Sequence, residues 1–337
     1  MTTTAVDNSV APMKEKALLI VNPRSGTREK DDLSGSLSRL LAGHGVSLTT
    51  EYTQAPGDAG RLACEAADAG YGSVVVAGGD GTVREAATSL WGKATSLGII
   101  PGGSGNGLAR SLGIPQDFRK AMEIVAEGHV LRIDRGQAAG HSFYCTFGIG
   151  FDAAVSEKFA MERRRGRMAY VKSALVEFLK YKPETYALSI GGEILTLNAL
   201  VVAVCNAPQY GNNAYIAPRA ELNDGLLDIT VIHSGNLLNT TLAGIELLSG
   251  RLDRNILVET FRVPSVSIAR LEEGPVHLDG DPLHMGKHID VECQPDGLEV
   301  ICPSAVRGFR PIVTPLRSLF EDMITDIRFS VLNKVKN

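Results

Sequence analysis

The sequence predicts an α/β domain built on a mostly parallel sheet, followed by a β-rich domain of antiparallel strands. Two observations lead to this fold class. In residues 14–132, short apolar runs alternate with helix-like segments, a pattern typical of βα units and parallel sheets. In residues 133–302, short segments with alternating apolar and polar residues follow one another, which is typical of antiparallel sheets. We therefore place a domain boundary between residues 132 and 133.

The first domain begins with a strand that is expected to be buried on both faces. The segment is Ala17–Val21, and it is continuously apolar. Further strands are predicted at Val46–Tyr52, Val74–Ala77 and Leu97–Ile100. Apolar residues at helical spacing lie between them, in residues 33–41, 56–67 and 83–90. In such sheets, ligands bind beyond the carboxyl ends of the strands, so the loops that follow the strands are candidate sites.

The second domain is predicted to contain seven strand segments and one or two helices. The helices are expected at about 153–180 and 236–250. The strand segments are Phe143–Phe147, Tyr186–Ile190, Leu195–Val204, Leu227–Ile232, Phe261–Ile268, His288–Glu292 and Gly297–Cys302. Residues 303–337 include an amphipathic pattern from Pro315 to Val335, and we expect this segment to return to the first domain.

Composition limits the classes of partner and compartment. The chain has 337 residues, a formal net charge of −4 and five cysteines without a CxxC pair. This charge argues against nucleic acid as a partner, and the cysteines are typical of reduced thiols. Residues 1–13 lack a signal-peptide pattern, and no apolar run approaches the roughly 20 residues of a membrane span. We expect a cytoplasmic protein.

Glycine-rich loops follow the predicted strands and suit phosphate binding. The first contains Gly78, Gly79, Asp80, Gly81 and Thr82, at the start of a helix. Glycine lets the backbone approach phosphate oxygens, and a helix N-terminus attracts anions. A carboxylate there would be repelled by phosphate unless a metal or a transferred proton compensates. The alternative is that Asp80 is only the N-cap of the helix.

Two further loops follow the first and fourth strands. In residues 101–107, Ser104 could donate to a phosphate and Asn106 could cap the next helix; the alternative is a flexible surface loop. Residues 22–26 could contact the same ligand or form a simple turn. The P-loop pattern, a dinucleotide-binding G-x-G-x-x-G after the first strand and the protein-kinase motifs are all absent from the sequence.

These motifs, taken in order, resemble the diacylglycerol kinase catalytic-domain family, which includes bacterial lipid kinases, sphingosine kinases and ceramide kinases. The resemblance covers residues from about 17 to 310. It depends on six segments: Asn22–Gly26, Gly78–Thr82, Pro101–Gly107, Gly148–Asp152, Ala217–Asp228 and His277–Asp281. NAD kinases have a similar Gly-Gly-Asp-Gly-Thr loop, but the other motifs resemble those of lipid kinases.

The resemblance implies an α/β domain like that of NAD kinase and phosphofructokinase, a β-sandwich-like second domain, and an active site in the cleft between them. It implies Mg²⁺ held partly by backbone carbonyls at Glu221, Asp224 and Leu226. The alternative for Asp224-Gly225 is a hairpin turn, which is compatible with a metal at the same place. The residues that it implies for ATP are Asn22, Pro23, Arg24, Ser25, Gly26, Thr53, Gly78, Gly79, Asp80, Gly81, Thr82 and Ser104.

Transfer of a phosphoryl group to an alcohol needs a carboxylate that takes the hydroxyl proton. The family usually carries Asp-Gly-Glu near its C-terminal end, where this chain has Asp279-Gly280-Asp281. The candidate catalytic residues are Asp279, Asp281 and Asp80, and we favour Asp279 as the base because Asp281 is shorter than the usual glutamate. The alternative is an ordinary Asp-Gly turn.

The segment 158–182 has eight basic residues and two acidic ones between apolar positions. It is either a helix that contacts anionic membrane or a solvated basic face above a buried one. The expected function is an ATP- and Mg²⁺-dependent lipid kinase acting on diacylglycerol or a sphingoid base, in transient contact with the inner membrane face. An NAD-kinase-like enzyme, a non-catalytic nucleotide or lipid sensor, and a homodimer stay open.

Overall fold

The computed structural model describes residues 16–25, 32–161, 181–235 and 237–304. Gly26, most of the basic segment 158–182 and the predicted helix at 315–335 lie outside the described residues. The same holds for residues 1–13 and for all but the first two residues of the C-terminal segment 303–337.

The N-terminal half is a parallel sheet with helices on both faces. Its strands are β1 (Lys16–Val21), β2 (Ser47–Tyr52), β3 (Ser73–Gly78) and β4 (Ser96–Pro101), in the spatial order β2-β1-β3-β4. Its helices are α1 (Leu33–Ala42), α2 (Asp58–Asp68), α3 (Asp80–Leu90), α4 (Gly107–Ser111) and α5 (Phe118–Glu127). The apolar runs of β1, β3 and β4 are buried because α2 and α3 cover one face and α1 and α5 the other. The four predicted strands are therefore confirmed.

The C-terminal half is mainly antiparallel. Its helices are α6 (Phe151–Met161) and α7 (Leu237–Ser249), and a short 3₁₀ helix spans Leu252–Arg254. Its strands are β5 (Val130–Ala138), β6 (His141–Phe143), β7 (Thr146–Gly150), β8 (Glu184–Ile190), β9 (Glu193–Ala199), β10 (Val201–Cys205), β11 (Leu227–Ile232), β12 (Val258–Val263), β13 (Ser265–Arg270), β14 (Gly274–Leu278), β15 (Asp281–Met285) and β16 (His288–Ile301).

The strands of the described residues form two sheets, and one of them runs through both halves. The larger has ten strands in the order β2-β1-β3-β4-β16-β13-β8-β9, with β5 on β16 and β6 on β5. The smaller has six, in the order β12-β11-β10-β7-β14-β15. The apolar faces of the two sheets form a core of their own, with Phe143, Phe147 and Tyr186 among its largest side chains. The β-sandwich-like fold class is thus confirmed.

Two segments that the sequence pattern joins are in fact divided between the sheets. Leu195–Val204 breaks at Leu200, between β9 of the larger sheet and β10 of the smaller one. Phe261–Ile268 breaks at Pro264, between β12 and β13. Chains that cross from one packed sheet to the other bend at such corners, and proline cannot donate a ladder hydrogen bond. The first segment stays apolar through its corner, so periodicity does not reveal that corner. In the second segment the apolar positions change phase between Val263 and Val266, which is the local sign of the break at Pro264.

In the part of the chain that the structure describes, no helix is long enough and apolar enough to cross a bilayer.

Candidate active site

Backbone hydrogen bonds join the loops that follow β1, β3 and β4. The N–H of Asn22 donates to the carbonyl of Ala77 at 3.0 Å, and the N–H of Gly102 donates to the carbonyl of Gly78 at 2.8 Å. The amide Nδ2 of Asn22 also donates to Oγ1 of Thr82 at 2.9 Å. The three loops therefore meet at the carboxyl edge of the parallel sheet, which is where such sheets bind ligands.

The two glycine-rich loops approach each other more closely than side chains would allow. A Cβ atom on Gly103 would lie 2.7 Å from Cα of Gly79 and 2.8 Å from Oδ1 of Asn106. A Cβ atom on Gly78 would lie 2.8 Å from Cβ of Thr82. This edge is consequently lined by backbone, which is the surface that a polyphosphate needs.

The other residues expected to contact nucleotide lie around these loops. The Ser25 hydroxyl donates to the carbonyl of Asn22 at 3.1 Å, and its oxygen would lie 3.2 Å from a Cβ atom on Gly102. The N–H of Thr53 donates to the carbonyl of Val21 at 3.0 Å, which places Thr53 beside the end of β1. Exposed positions on these loops are Pro23, Arg24 and Ser104.

Asp80 ties the two glycine-rich loops together. It is the first residue of α3, whose N-cap is Gly79, so the N-cap alternative is wrong. Its carboxylate accepts the N–H of Asn106 at 2.7 Å and that of Gly107 at 2.6 Å, at the start of α4. Burial raises the pKa of Asp80 to about 6 in spite of these two donors, and the charge of Asp279 adds to the effect.

Asn106 does not cap α4, contrary to the expectation from sequence. Its backbone is left-handed, with φ 51°, and its side chain makes no capping hydrogen bond. Instead, its amide accepts the N–H of Gly103 at 2.9 Å and donates to the carbonyl of the same residue at 2.8 Å. Asn106 thus holds the glycine-rich loop closed, while Asp80 satisfies the N–H groups of the helix.

Asp279 is the centre of a backbone nest in the C-terminal half. One carboxylate oxygen accepts the N–H of Tyr144 at 2.9 Å. The other accepts the N–H groups of Cys145 at 2.7 Å and Thr146 at 2.9 Å. Burial nevertheless raises the pKa of Asp279. Three of about four lone-pair positions of this carboxylate are therefore engaged, and the residue holds the turn between β6 and β7.

Asp281 differs from Asp279 although only one glycine separates them. Its side chain is 53% exposed and forms an ion pair with Arg84, Nη2 to Oδ2, at 2.5 Å. Arg84 lies on α3 and Asp281 begins β15, so the pair joins the N-terminal and C-terminal halves across the crevice. Asp80 and Asp279 lie beside it in a small pocket whose further lining residues are Val83, Arg84, Leu108, Tyr144 and Cys145.

A buried polar cluster that sequence analysis missed supports the Asp279–Asp281 turn. His277 is 2% exposed, and its Nε2 lies 3.0 Å from Oδ2 of Asp152. The Tyr210 hydroxyl donates to the same oxygen at 2.8 Å. The N–H of Gly280 points at Nδ1 of His277 at 3.4 Å. Because an N–H can only donate, Nδ1 is the acceptor, and the ring proton is on Nε2 facing Asp152.

The sequence motifs indicated two of the three residues of this cluster. Asp152 and His277 lie within two of the motifs that carried the family resemblance, but nothing indicated that they would meet. Tyr210 had no signal. It lies in a loop whose next residues contact the phosphate edge, because the N–H of Asn212 donates to the carbonyl of Gly105 at 3.3 Å.

The residues expected to hold Mg²⁺ lie on the turn before β11. The Asp224 carboxylate accepts the N–H of Leu226 at 3.0 Å and pairs with Arg262 at 2.7 Å. Gly225 has φ 72° and donates its N–H to Asp134 at 2.7 Å. Glu221 is exposed. The segment is therefore a tight turn, which is compatible with a cation held by carbonyls.

The donor chemistry around this turn fits a hard divalent cation. Carbonyl and carboxylate oxygens are the ligands that such ions take. Burial together with nearby acids, Asp224 among them, raises the pKa of Asp134 and of Asp228, so negative charge is in excess here. Among the described residues, no group of three or more His, Cys, Asp and Glu side chains is arranged to hold a metal, so any site would depend on backbone oxygens.

Comparison with known families agrees with this geometry. Residues 16–138 match the diacylglycerol kinase catalytic domain, and residues 146–302 match the YegS C-terminal NAD kinase beta sandwich-like domain. The chain belongs to the diacylglycerol kinase catalytic-domain family. The resemblance noted from the sequence motifs is thereby confirmed, and the chain is a member of a family of lipid kinases.

Individual relatives cover most of the chain. A probable lipid kinase YegS-like from Yersinia pestis (strain Pestoides F) is 28% identical over 266 residues, which are 77% of this chain and 88% of that protein. A putative diacylglycerol kinase from Bacillus anthracis str. Sterne has a solved structure that is 27% identical, with a TM-score of 0.73 over 87% of this chain and 99% of that one. Another putative diacylglycerol kinase structure from that strain is 26% identical, with a TM-score of 0.69.

Proposed function

We propose that this protein uses ATP and Mg²⁺ to phosphorylate a hydroxyl group of a membrane lipid, either a diacylglycerol or a sphingoid base. One observation carries the proposal. The loops that follow β1, β3 and β4 meet at one edge of the sheet, and the Arg84–Asp281 ion pair lies at the same crevice. A polyphosphate and an accessible carboxylate are what phosphoryl transfer to an alcohol requires.

The nucleotide phosphates would lie against the glycine-rich edge. Backbone N–H groups of residues 78–82 and the N-terminus of α3 face that edge, and helix N-termini favour anions. Asn22, Ser25 and Ser104 offer amide and hydroxyl donors close by. Asp80 would shape the loops through the N–H groups of α4 rather than contact the phosphates.

Asp281 is the carboxylate that we propose as the base. It is exposed to the crevice, whereas Asp279 is engaged by three backbone N–H groups. In the reaction, the lipid hydroxyl oxygen bonds to the γ-phosphorus while the bond from phosphorus to the β–γ bridging oxygen breaks. The hydroxyl proton passes to Asp281, and ADP leaves. Arg84 would orient Asp281 and stabilise the charge of the transferred group.

Glu221, Asp224 and Leu226 would hold Mg²⁺ at the turn before β11, through carbonyl and carboxylate oxygens. A bound Mg²⁺ ion supplies positive charge that offsets the excess of carboxylates around this turn. Asp134 accepts the N–H groups of Gly225 and Asp296 at 2.7 and 2.8 Å, and the first of these hydrogen bonds holds the turn before β11 in place.

A transfer assay tests the proposal. The full chain is incubated with Mg²⁺, ATP labelled on the γ-phosphate, and separately with diacylglycerol, sphingosine, ceramide or NAD. We expect label in diacylglycerol or sphingosine and none in NAD. Label in NAD alone would support an NAD-kinase-like enzyme instead. ATP binding without transfer to any acceptor would support a sensor, and either result overturns the lipid kinase.

A further inference from the structure

Helix α7 exposes two large apolar side chains, Leu242 and Leu248. It spans Leu237–Ser249, and Glu246 is its only charged residue. Ala243 and Leu247 pack inward against β10 and its neighbours. Leu242 is 47% exposed and Leu248 42% exposed. Because residues 242, 245 and 248 are three apart, they lie along one stripe of the helix surface, away from the core.

Ile256 extends this apolar surface just beyond the helix. It is 82% exposed, the largest exposed fraction among the big apolar residues described. The backbone on either side is nevertheless fixed. Nδ2 of Asn255 donates to Oε2 of Glu246 on α7 at 2.6 Å, and the carbonyl of Leu257 accepts the N–H of His233 at 2.8 Å. Ile256 is therefore held out into solvent by its neighbours.

Two arginines flank this surface, and among the described residues neither has an acidic partner. Arg251 and Arg254 are both exposed, and within the described ranges neither forms an ion pair closer than 4 Å. Asp253 pairs with Arg219 at 2.7 Å, whereas Glu246 keeps its negative charge because its donor, Asn255, is a neutral amide. The two arginines outnumber this one carboxylate, so the net charge offered to an incoming surface is positive.

The same region is connected to the candidate active site. The carbonyl of Leu247 accepts the N–H of Tyr215 at 2.8 Å. Residues 210–215 form the loop that carries Tyr210, the partner of Asp152, and Asn212, the partner of Gly105. Only one loop therefore separates the exposed stripe from both the phosphate edge and the Asp279–Asp281 turn.

We propose that residues 242–256 form a docking surface for an anionic phospholipid bilayer, which we call the α7 surface. Leu242, Leu248 and Ile256 enter the boundary between headgroups and acyl chains, while Arg251 and Arg254 contact lipid phosphates. Apolar side chains rimmed by arginine suit this interface better than a neutral protein groove. The inference rests on the proposed lipid kinase function, and it concerns a part of the chain separate from the basic segment 158–182.

Sedimentation with vesicles tests the α7 surface directly. The full chain is mixed with vesicles of phosphatidylcholine containing 30% phosphatidylglycerol, as a chosen condition of roughly physiological negative charge. Ile256→Ser is expected to lower the partition coefficient for vesicles about tenfold, because the variant no longer transfers a large apolar side chain from water into the membrane. The matched control is Ile194→Ser on β9, where the isoleucine is 71% exposed. Equal losses in both variants, or a wild-type chain that does not sediment, would overturn the proposal.

Charge reversal tests the proposed contacts between the two arginines and lipid phosphates. Arg251→Glu with Arg254→Glu should abolish the dependence of binding on phosphatidylglycerol. The control is Arg39→Glu with Arg119→Glu, which changes the net charge equally on α1 and α5. Circular dichroism and thermal melting establish that all variants fold. Unchanged dependence in the α7 variant would count against arginine contacts.

Activity measurements separate this proposal from the proposed function. Ile256→Ser should lower phosphorylation of diacylglycerol in vesicles and leave that of a short-chain, water-dispersed diacylglycerol unchanged. A chain that binds vesicles through Ile256 but phosphorylates no lipid would keep the docking surface and refute the kinase. An Ile256→Ser variant that phosphorylates both lipids as well as the wild type does would keep the kinase and refute the docking surface.

Discussion

The two sides of the candidate active site are built in different ways. The N-terminal side consists of backbone, where glycines let the loops after β3 and β4 touch and Asp80 secures them from beneath. The C-terminal side consists of side chains, namely the Asp279 nest, the Arg84–Asp281 pair and the buried His277 cluster. The first side depends on the absence of side chains, and the second on particular side chains meeting. Substitutions on the two sides should therefore affect activity and stability in different ways.

The largest effect is expected at Asp281. Asp281→Asn should lower kcat by about 10²–10⁴-fold, the usual contribution of a general base, with little change in thermal stability. Asp281→Glu restores a carboxylate and should keep most of the activity. Turnover with ATP and the preferred lipid checks this, and a fully active asparagine variant would move the base to Asp80 or Asp279.

At Asp279, by contrast, we expect substitution to cause a large loss of stability. Asp279→Ala leaves three N–H groups without an acceptor and places alanine at φ 52°. We expect a loss of about 4 kcal/mol in the free energy of unfolding. Asp281→Ala, which breaks an exposed ion pair, should lose about 1 kcal/mol or less.

Urea denaturation measures both variants. If Asp279→Ala does not fold, Asp279→Asn keeps a residue that tolerates positive φ and should show a smaller loss. Equal stability of the Asp279 and Asp281 variants would contradict the distinction between anchor and base.

The pH dependence of stability should report the Asp80 carboxylate. Its pKa is about 6 in the folded chain, against 3.8 for the unperturbed group. Between pH 4 and 6 the folded state consequently binds more protons than the unfolded state, so the free energy of unfolding falls as pH rises. The fall due to this group should be about 3 kcal/mol.

Asp80→Asn should remove that fall, so that its stability relative to wild type increases from pH 4 to pH 7. Urea midpoints at both pH values measure the difference. Asp290→Asn, an exposed carboxylate on β16, is the control. A constant difference between Asp80→Asn and wild type at both pH values would show that burial does not govern this carboxylate.

The smallest effect is expected for added bulk between the glycine-rich loops. Gly103→Ala should cost about 2 kcal/mol of stability through overpacking and should raise the KM for ATP, because the new methyl group separates the loops. Gly286→Ala is a matched control, since nothing lies within 4 Å of its Cβ position. An unchanged KM in Gly103→Ala would indicate that the loops can separate without consequence for the nucleotide.

The same contrast explains what the sequence could predict. The strands of the N-terminal half were readable because burial on both faces makes β1, β3 and β4 continuously apolar. The glycine-rich loops were readable because their composition is itself the local requirement. The roles of the individual carboxylates could not be predicted from the sequence. Asp80 contacts residues 106 and 107, and Asp279 contacts residues 144–146. Those contacts depend on long-range packing that no local pattern encodes.

Other misses have the same origin. The β14–β15 hairpin looked like an isolated Asp-Gly turn because its strands are only five residues each. The His277 cluster required residues 152, 210 and 277 to meet. Helix α5 and strand β5 are further elements that the sequence pattern does not predict.

The pairing of β4 with β16 has a consequence for how the protein is made. Val300 lies opposite Leu97, and β16 also pairs with β5 and β13. On the ribosome, β4 therefore remains an open sheet edge until almost all of the described chain has been synthesised. Open strand edges invite pairing with other chains. The β4 edge of the N-terminal half is therefore most exposed to pairing with other chains during synthesis, and a fragment ending at the boundary of the first family domain would keep that edge open permanently.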